Sequence, residues 1–285
     1  MKNNKFTILM ILLFVVGMSL LLYPSISNFY NQKNASKAII DYEAILKKKN
    51  NDEYDKIFKD AENYNNKLRK LRNPLLTYES IKGYNKLLNI NDNGMIGYIK
   101  ISKIKVELPI YHGTSDEVLG SSVGHLEGSS LPIGGESTHS VLSAHRGLPS
   151  SMLFTNLDKL EIGDTFLIKV LDKELTYQVD QIKIVKPSDI KSLKIENNKD
   201  YVTLMTCTPY GINTHRLLVR GVRVENAKEE VFITTEAFKV NKITVTLIIL
   251  IPIILILLII MLFKPIGENK NKIKEKYIYP SKYKE

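Results

Sequence analysis

The chain is almost without cysteine: Cys207 is the one cysteine in 285 residues. That scarcity rules out an internal disulfide, and an odd thiol in a chain that leaves the cytoplasm is either an intermolecular bridge or a reactive group. CxxC and HxxxH pairs are missing as well, so a structural or catalytic metal is disfavoured. No self-similarity occurs at solenoid periods, which sets repeat architectures aside. What remains is a globular composition, 44% hydrophobic and 25% charged, long enough for one sizeable domain with extensions.

Two uncharged apolar blocks stand out from this average, Phe6 to Tyr23 and Ile243 to Phe263. A helix needs about 17 to 25 such residues to cross the hydrocarbon core. The second block meets that length, with Pro252 suggesting a kink, and the first is marginal. Two readings of the first are open: a retained membrane anchor, which its length favours, and a cleavable signal peptide with a small-residue site at Ser25-Ile-Ser27. Lys2 and Lys5 precede the first block and seven lysines, from Lys264 to Lys284, follow the second. By the positive-inside rule both termini lie in the cytoplasm and the segment between is extracellular.

That topology also accounts for the charge. Of the formal +10, the N-terminal lysines supply +2 and the C-terminal tail +4 (seven lysines against Glu268, Glu275 and Glu285), leaving about +4 for the outer segment. The high pI therefore reports topology and contact with anionic headgroups, and no nucleic-acid partner is expected.

The expected organisation is a cytoplasmic tail (1–5), an N-terminal transmembrane helix (6–23), an extracellular helical region (24–93), a β-rich domain (94–226), a linker (227–242), a second transmembrane helix (243–263) and a basic cytoplasmic tail (264–285). In the helical region, Tyr54, Ile57, Phe58, Ala61, Tyr64, Leu68 and Leu71 recur at spacings of three and four, which predicts an amphipathic helix with one apolar stripe. It should end by Asn73-Pro74. After Gly94 come short β-rich runs: 96–101, 105–110, 139–144, 165–170, 175–185, 201–206 and 216–224. Stretches 150–160 and 188–193 read as helical connections. Strands of this number and spacing predict a mainly β fold, a barrel or a sandwich.

Cys207 ends the run Tyr201 to Thr206, and Arg216 opens the next strand after a Pro- and Gly-containing loop, so the two are expected to be neighbours across a hairpin. A reactive thiol needs a base or imidazolium beside it. Among His112, His125, His139, His145 and His215, the best placed is His145, which ends an apolar strand as Cys207 does. His215 and Arg216 are adjacent in a strand and cannot both face the thiol. A guanidinium at Arg216 could stabilise an oxyanion without titrating. The structural alternatives are a buried core cysteine, a structural histidine and a solvated edge arginine.

At these residues the sequence resembles the sortases, membrane-bound cysteine transpeptidases of Gram-positive bacteria. Thr203-Leu204-Met205-Thr206-Cys207 matches the family pattern TLxTC, with the catalytic arginine falling on Arg216 and the catalytic histidine on His145 in SAHRGLP. The stretches IGYIKISKIKVELPIYHGTS, GHLEGSSLPIGGESTHSVLSAHRGLPSSMLFTNLDKLEIGD and YVTLMTCTPYGINTHRLLVRG, with the C-terminal apolar block, resemble the pilus-assembling class C branch over about residues 84 to 263. The resemblance implies a closed eight-stranded sortase β-barrel and no metal or organic cofactor. It further implies cleavage of an LPxTG-type sorting signal by Cys207 and transfer of the acyl group to a pilin lysine, with Thr206 positioning the substrate. The alternatives are transfer to a peptidoglycan amine, which would anchor surface proteins, and a membrane-tethered binding or redox-sensing protein bridging through Cys207.

One family feature is missing. Pilus-type sortases carry a lid with an Asp-Pro-aromatic triplet, and no Asp-Pro occurs between Tyr30 and Gly94. In NPLLTYES, Tyr78 and Glu79 are the candidate substitutes for its ring and its carboxylate; the alternative is a segment that merely connects helix to barrel.

Overall fold

The computed structural model describes residues 3–48 and 51–226, with the single positions 250 and 254. The second apolar block (243–263), the linker (227–242) and the basic tail (264–285) expected from the sequence lie outside the described residues, those two positions apart.

A single helix, α1 (Asn3–Leu46), runs through the first apolar block and beyond it, with Pro24 inside. The helix does not stop where the apolar run ends at Tyr23, and it continues through Ser25-Ile-Ser27. Proline removes one backbone donor and strains one turn, which flanking turns rich in Leu and Ile tolerate. Part of α1 is long and apolar enough to cross a membrane. Its later turns bury Ala35, Ile39, Tyr42 and Leu46, at helical spacing.

Helix α2 (Asn51–Leu68) is the predicted amphipathic one, burying Tyr54, Phe58, Ala61, Tyr64 and Leu68. Both stripes join the main hydrophobic core of the barrel. Polar staples fix the docking. The Tyr42 hydroxyl donates to the Ile96 carbonyl (3.3 Å) and accepts from the Leu171 amide (2.9 Å), while the Asn65 amide group bonds both backbone groups of Leu131 (3.2 and 2.8 Å). Ser19–Thr235 accordingly forms one compact unit; of the other, which holds Met1–Met18, the described part is helical.

The β-region contains β1 (Met95–Ile101), β2 (Val106–His112), β3 (Val123–His125), β4 (Thr138–Ser143), β5 (Thr165–Val170), β6 (Lys173–Val185), β7 (Asp200–Thr208) and β8 (His215–Arg223). They close into a barrel in the order β1-β2-β3-β4-β7-β8-β6-β5. Seven match the sequence reading within a few residues. The missed strand, β3, is three residues long in a Gly- and Ser-rich stretch, where alternation has no room to show. The connections at 150–160 and 188–193 contain only short 3-10 turns, Leu157–Lys159 and Lys191–Leu193.

Closure needs glycine where strands approach closely. A Cβ at Gly97 would lie 2.3 Å from the Lys169 carbonyl oxygen on β5, and one at Gly221 2.7 Å from the Phe166 ring and 2.9 Å from the Tyr177 Cβ on β6, so a side chain there forces these neighbours to shift.

Two histidines act as structural groups of the barrel. The His139 ring bonds the Lys194 carbonyl (2.8 Å) and the Thr203 hydroxyl (2.7 Å). His125, fully buried, donates from Nε2 to the Ser130 carbonyl (2.8 Å) and accepts at Nδ1 from the Tyr84 hydroxyl (2.7 Å). Protonation would place a second N–H against that hydroxyl, and burial pushes the imidazole down to about 4.

The unfolded chain binds this proton near the ordinary value, so the stabilisation is complete above about pH 6.5 and falls as pH drops toward 4. A loss on the order of 3 kcal/mol follows across that window. Chemical denaturation at pH 7, 5.5 and 4 should show it, and His125→Asn should flatten the dependence.

Candidate active site

The site is built by strand register. Strands β4 and β7 run parallel, with Val141 opposite Thr203 and Ser143 opposite Met205. Beyond the last pair the register is carried by side-chain and backbone bonds: the Ala144 amide donates to the Met205 carbonyl (3.2 Å) and the buried Thr206 hydroxyl donates to the Ala144 carbonyl (2.8 Å). His145 and Cys207 are the next residues on the two chains, so they leave neighbouring strands at the same level. Strands β7 and β8 are antiparallel, and their register sets Cys207 directly opposite Arg216 and Thr208 opposite His215.

Alternation then decides which face each side chain takes. Val202, Leu204, Leu217 and Val219 belong to the main core inside the barrel, whereas Val141, Leu218 and Leu193 form a second cluster with Leu75, Leu126, Val185 and Met205 packed on it. Cys207 shares parity with Met205, Arg216 with Leu218, and His145 with Val141. All three stand on the outer face of the barrel, over an apolar floor.

Each is half-buried, and the Cys207 thiol is free. The guanidinium of Arg216 donates to the carbonyls of Asn213 (3.3 Å) in the β7–β8 loop and of His215 (3.2 Å) at the start of β8. His215, facing away, bonds Thr214 (3.0 Å). A thiol, an imidazole and a guanidinium on one wall are the kinds of group that acyl transfer uses as nucleophile, proton carrier and charge stabiliser.

The Sortase domain family matches residues 99–224. Sortase D of Bacillus subtilis is 34% identical over 131 residues, 45% of this chain and 63% of that protein's length. Among solved structures, sortase C1 of Streptococcus agalactiae is 52% identical, with a TM-score of 0.62 over 67% of this chain and all of that one. Sortase C of Clostridium perfringens, solved with the C-terminal cell wall sorting motif, is 46% identical, with a TM-score of 0.59 over 67% of this chain and all of that one. The chain belongs to the sortases, in their class C branch.

Two residues of this sortase site escaped the sequence reading. Arg146, next to His145, donates to the Thr208 hydroxyl (3.4 Å) and pairs with Asp158 (2.5 Å). It ties the loop after His145 to the strand end carrying Cys207. The other is Leu75, from α3 (Pro74–Thr77), which packs on the outer apolar cluster. Segment 74–78 is held there by Gly128, where a Cβ would lie 2.8 Å from the Pro74 carbonyl oxygen and 3.0 Å from the Tyr78 ring. Tyr78 packs toward the main core and its hydroxyl donates to Glu127 (3.4 Å), and Glu79 is exposed. The signal for Leu75 was available: Asn73-Pro74-Leu75 has the shape of Asp-Pro-aromatic with both ends replaced.

Thr206 faces inward onto Ala144, so its hydroxyl acts on the strand that carries His145. Thr206→Val should leave that buried carbonyl unpaired and lower stability by about 1–3 kcal/mol, whereas Thr206→Ser should retain most of it, as read from denaturant midpoints.

Proposed function

We propose that this chain is a cysteine transpeptidase that polymerises pilus subunits, with Cys207, His145 and Arg216 as its catalytic residues. The observation that carries the reading is the register that sets Cys207 opposite Arg216 and level with His145 on one outer face. The Cys207 thiolate attacks the carbonyl between Thr and Gly of an LPxTG-type signal. Arg216 stabilises the oxyanion, and His145 protonates the departing glycine amine as the C–N bond breaks. The thioester keeps the acyl group activated. A pilin lysine amine then attacks it, His145 takes the amine's proton, and the C–S bond breaks to leave the isopeptide and restore the Cys207 thiolate. No redox partner enters either half.

The acyl acceptor is what separates this reading from anchoring to a peptidoglycan amine. The likeness to class C structures at 52% and 46% identity favours the pilin amine. The enzyme is held at the membrane by the apolar part of α1, with the barrel on the extracellular side and both termini cytoplasmic.

We further assign the lid to Leu75, which packs on the apolar cluster under the site, whereas Tyr78 packs against the main core and Glu79 is exposed. Leu75 stands where the family triplet has its ring and Asn73 where it has its carboxylate, and an uncharged Asn73 makes no ion pair with a guanidinium, so the latch is weaker.

Two measurements check these assignments. Incubation with an LPxTG-type peptide should give a thioacyl adduct on Cys207 by intact mass; Cys207→Ala should give neither adduct nor cleavage, and cleavage by that variant would refute the assignment. Leu75→Ala should speed modification of Cys207 by a thiol reagent several-fold, with Tyr78→Ala and Glu79→Ala close to wild type; equal rates for all four proteins would rule out a lid at Leu75.

A further inference from the structure

We propose that the β7–β8 loop and the turn around Met152 rest on the lipid headgroups, so that the catalytic rim opens at the bilayer surface. This rests on the reading of the apolar part of α1 as a membrane anchor. The compact unit itself includes the end of that apolar run, Ser19 to Tyr23.

Just past it, α1 holds the turn that follows His145. The Asn28 side chain accepts from the Met152 amide (2.9 Å), and the Asn31 side chain donates to the Ser150 carbonyl (2.9 Å). At 1.5 Å per residue, Asn28 lies only about 8 Å beyond Tyr23 along the helix axis. The headgroup zone on one side of a bilayer is of similar thickness, about 5–8 Å. The Met152 turn is thus level with the headgroups if the apolar run ends at the hydrocarbon boundary.

From that turn a chain of contacts leads to the site. Leu148 bridges to Ser151, and Gly147 lies against the Tyr210 ring, which a Cβ would approach to 3.1 Å. Tyr210 belongs to the loop between β7 and β8, within three residues of Cys207. Large side chains stand exposed around these contacts: Ile26, Phe29 and Tyr30 on the faces of α1 turned from Asn28 and Asn31, and Met152, Tyr210 and Ile212 in the turn and loop, are between 43% and 67% exposed, the Tyr210 ring also lying 6.0 Å from the Arg146 guanidinium. Aromatic and large aliphatic groups are drawn to the interface, where rings sit among the headgroups. The α1 members of this set follow directly on the apolar run that ends at Tyr23, which singles out the lipid surface as the occupant.

The chain contains no tryptophan, so one introduced indole reports from one place. Full-length Ile212→Trp, Tyr210→Trp, Leu20→Trp and Lys199→Trp proteins would be reconstituted in phosphatidylcholine–phosphatidylglycerol vesicles containing lipids brominated near the carbonyl end of the acyl chain. Lys199 is exposed and lies at the opposite end of β7 from Cys207. Indoles at 212 and 210 should be quenched at least about twofold more than the one at 199 and emit further to the blue, as expected at the interface. Quenching at 20 with 212 and 210 no different from 199 would overturn the proposal and leave the anchor intact. Absence of quenching at 20 would overturn the anchor reading, and the proposal with it.

Discussion

The structure depends on one register: the parallel pairing of β4 with β7. Parallel neighbours leave a sheet at the same end, so a residue that ends one strand is automatically beside the residue that ends the other. Thr206 extends the pairing by one step through its bond to the Ala144 carbonyl. A slip of one residue would turn Cys207 into the barrel and bring Thr206 out. The buried face of β7, with Val202 and Leu204 in the core, makes that slip costly, so packing of the interior fixes chemistry on the exterior. The antiparallel hairpin to β8 adds the arginine under the same constraint.

Around this, the remaining elements position and shield. The helices anchor through Tyr42 and Asn65 to the barrel backbone, and the segment after α2 delivers Leu75 to the apolar floor beside the site. Buried His125 and His139 have both ring nitrogens occupied, which makes them part of the frame. His145, half-buried on the outer face, is free of that role and available for proton transfer.

Much of this was legible in the sequence. Tyr54, Phe58, Ala61, Tyr64 and Leu68 announced α2 by spacing alone, and the runs ending at Cys207 and starting at Arg216 announced the β7–β8 hairpin. Exclusion of His215 followed from strand alternation. Three features were not legible, for separate reasons. Strand β3 is too short to show a period and exists because β2 and β4 offer edges to pair with. The continuity of α1 through Pro24 overrides a local breaking signal, since neighbouring turns supply enough helical preference. The bracing of Arg146 by Thr208 and Asp158, and the approach of Leu75, are long-range contacts that depend on barrel closure and leave no local trace.

The central claim is that an acyl chain forms on the outer wall, over Met205 and Leu218, with its carbonyl oxygen directed at Arg216. A crystal structure of the protein carrying a thiol-reactive LPxTG-type peptide analogue on Cys207 tests it most directly. The account predicts a covalent bond to Sγ, the carbonyl-equivalent oxygen within hydrogen-bond distance of the Arg216 guanidinium, the leaving-group side toward His145, and Leu75 displaced from the floor. An adduct whose oxygen points away from Arg216, with the peptide off the β4–β7 wall, would contradict it.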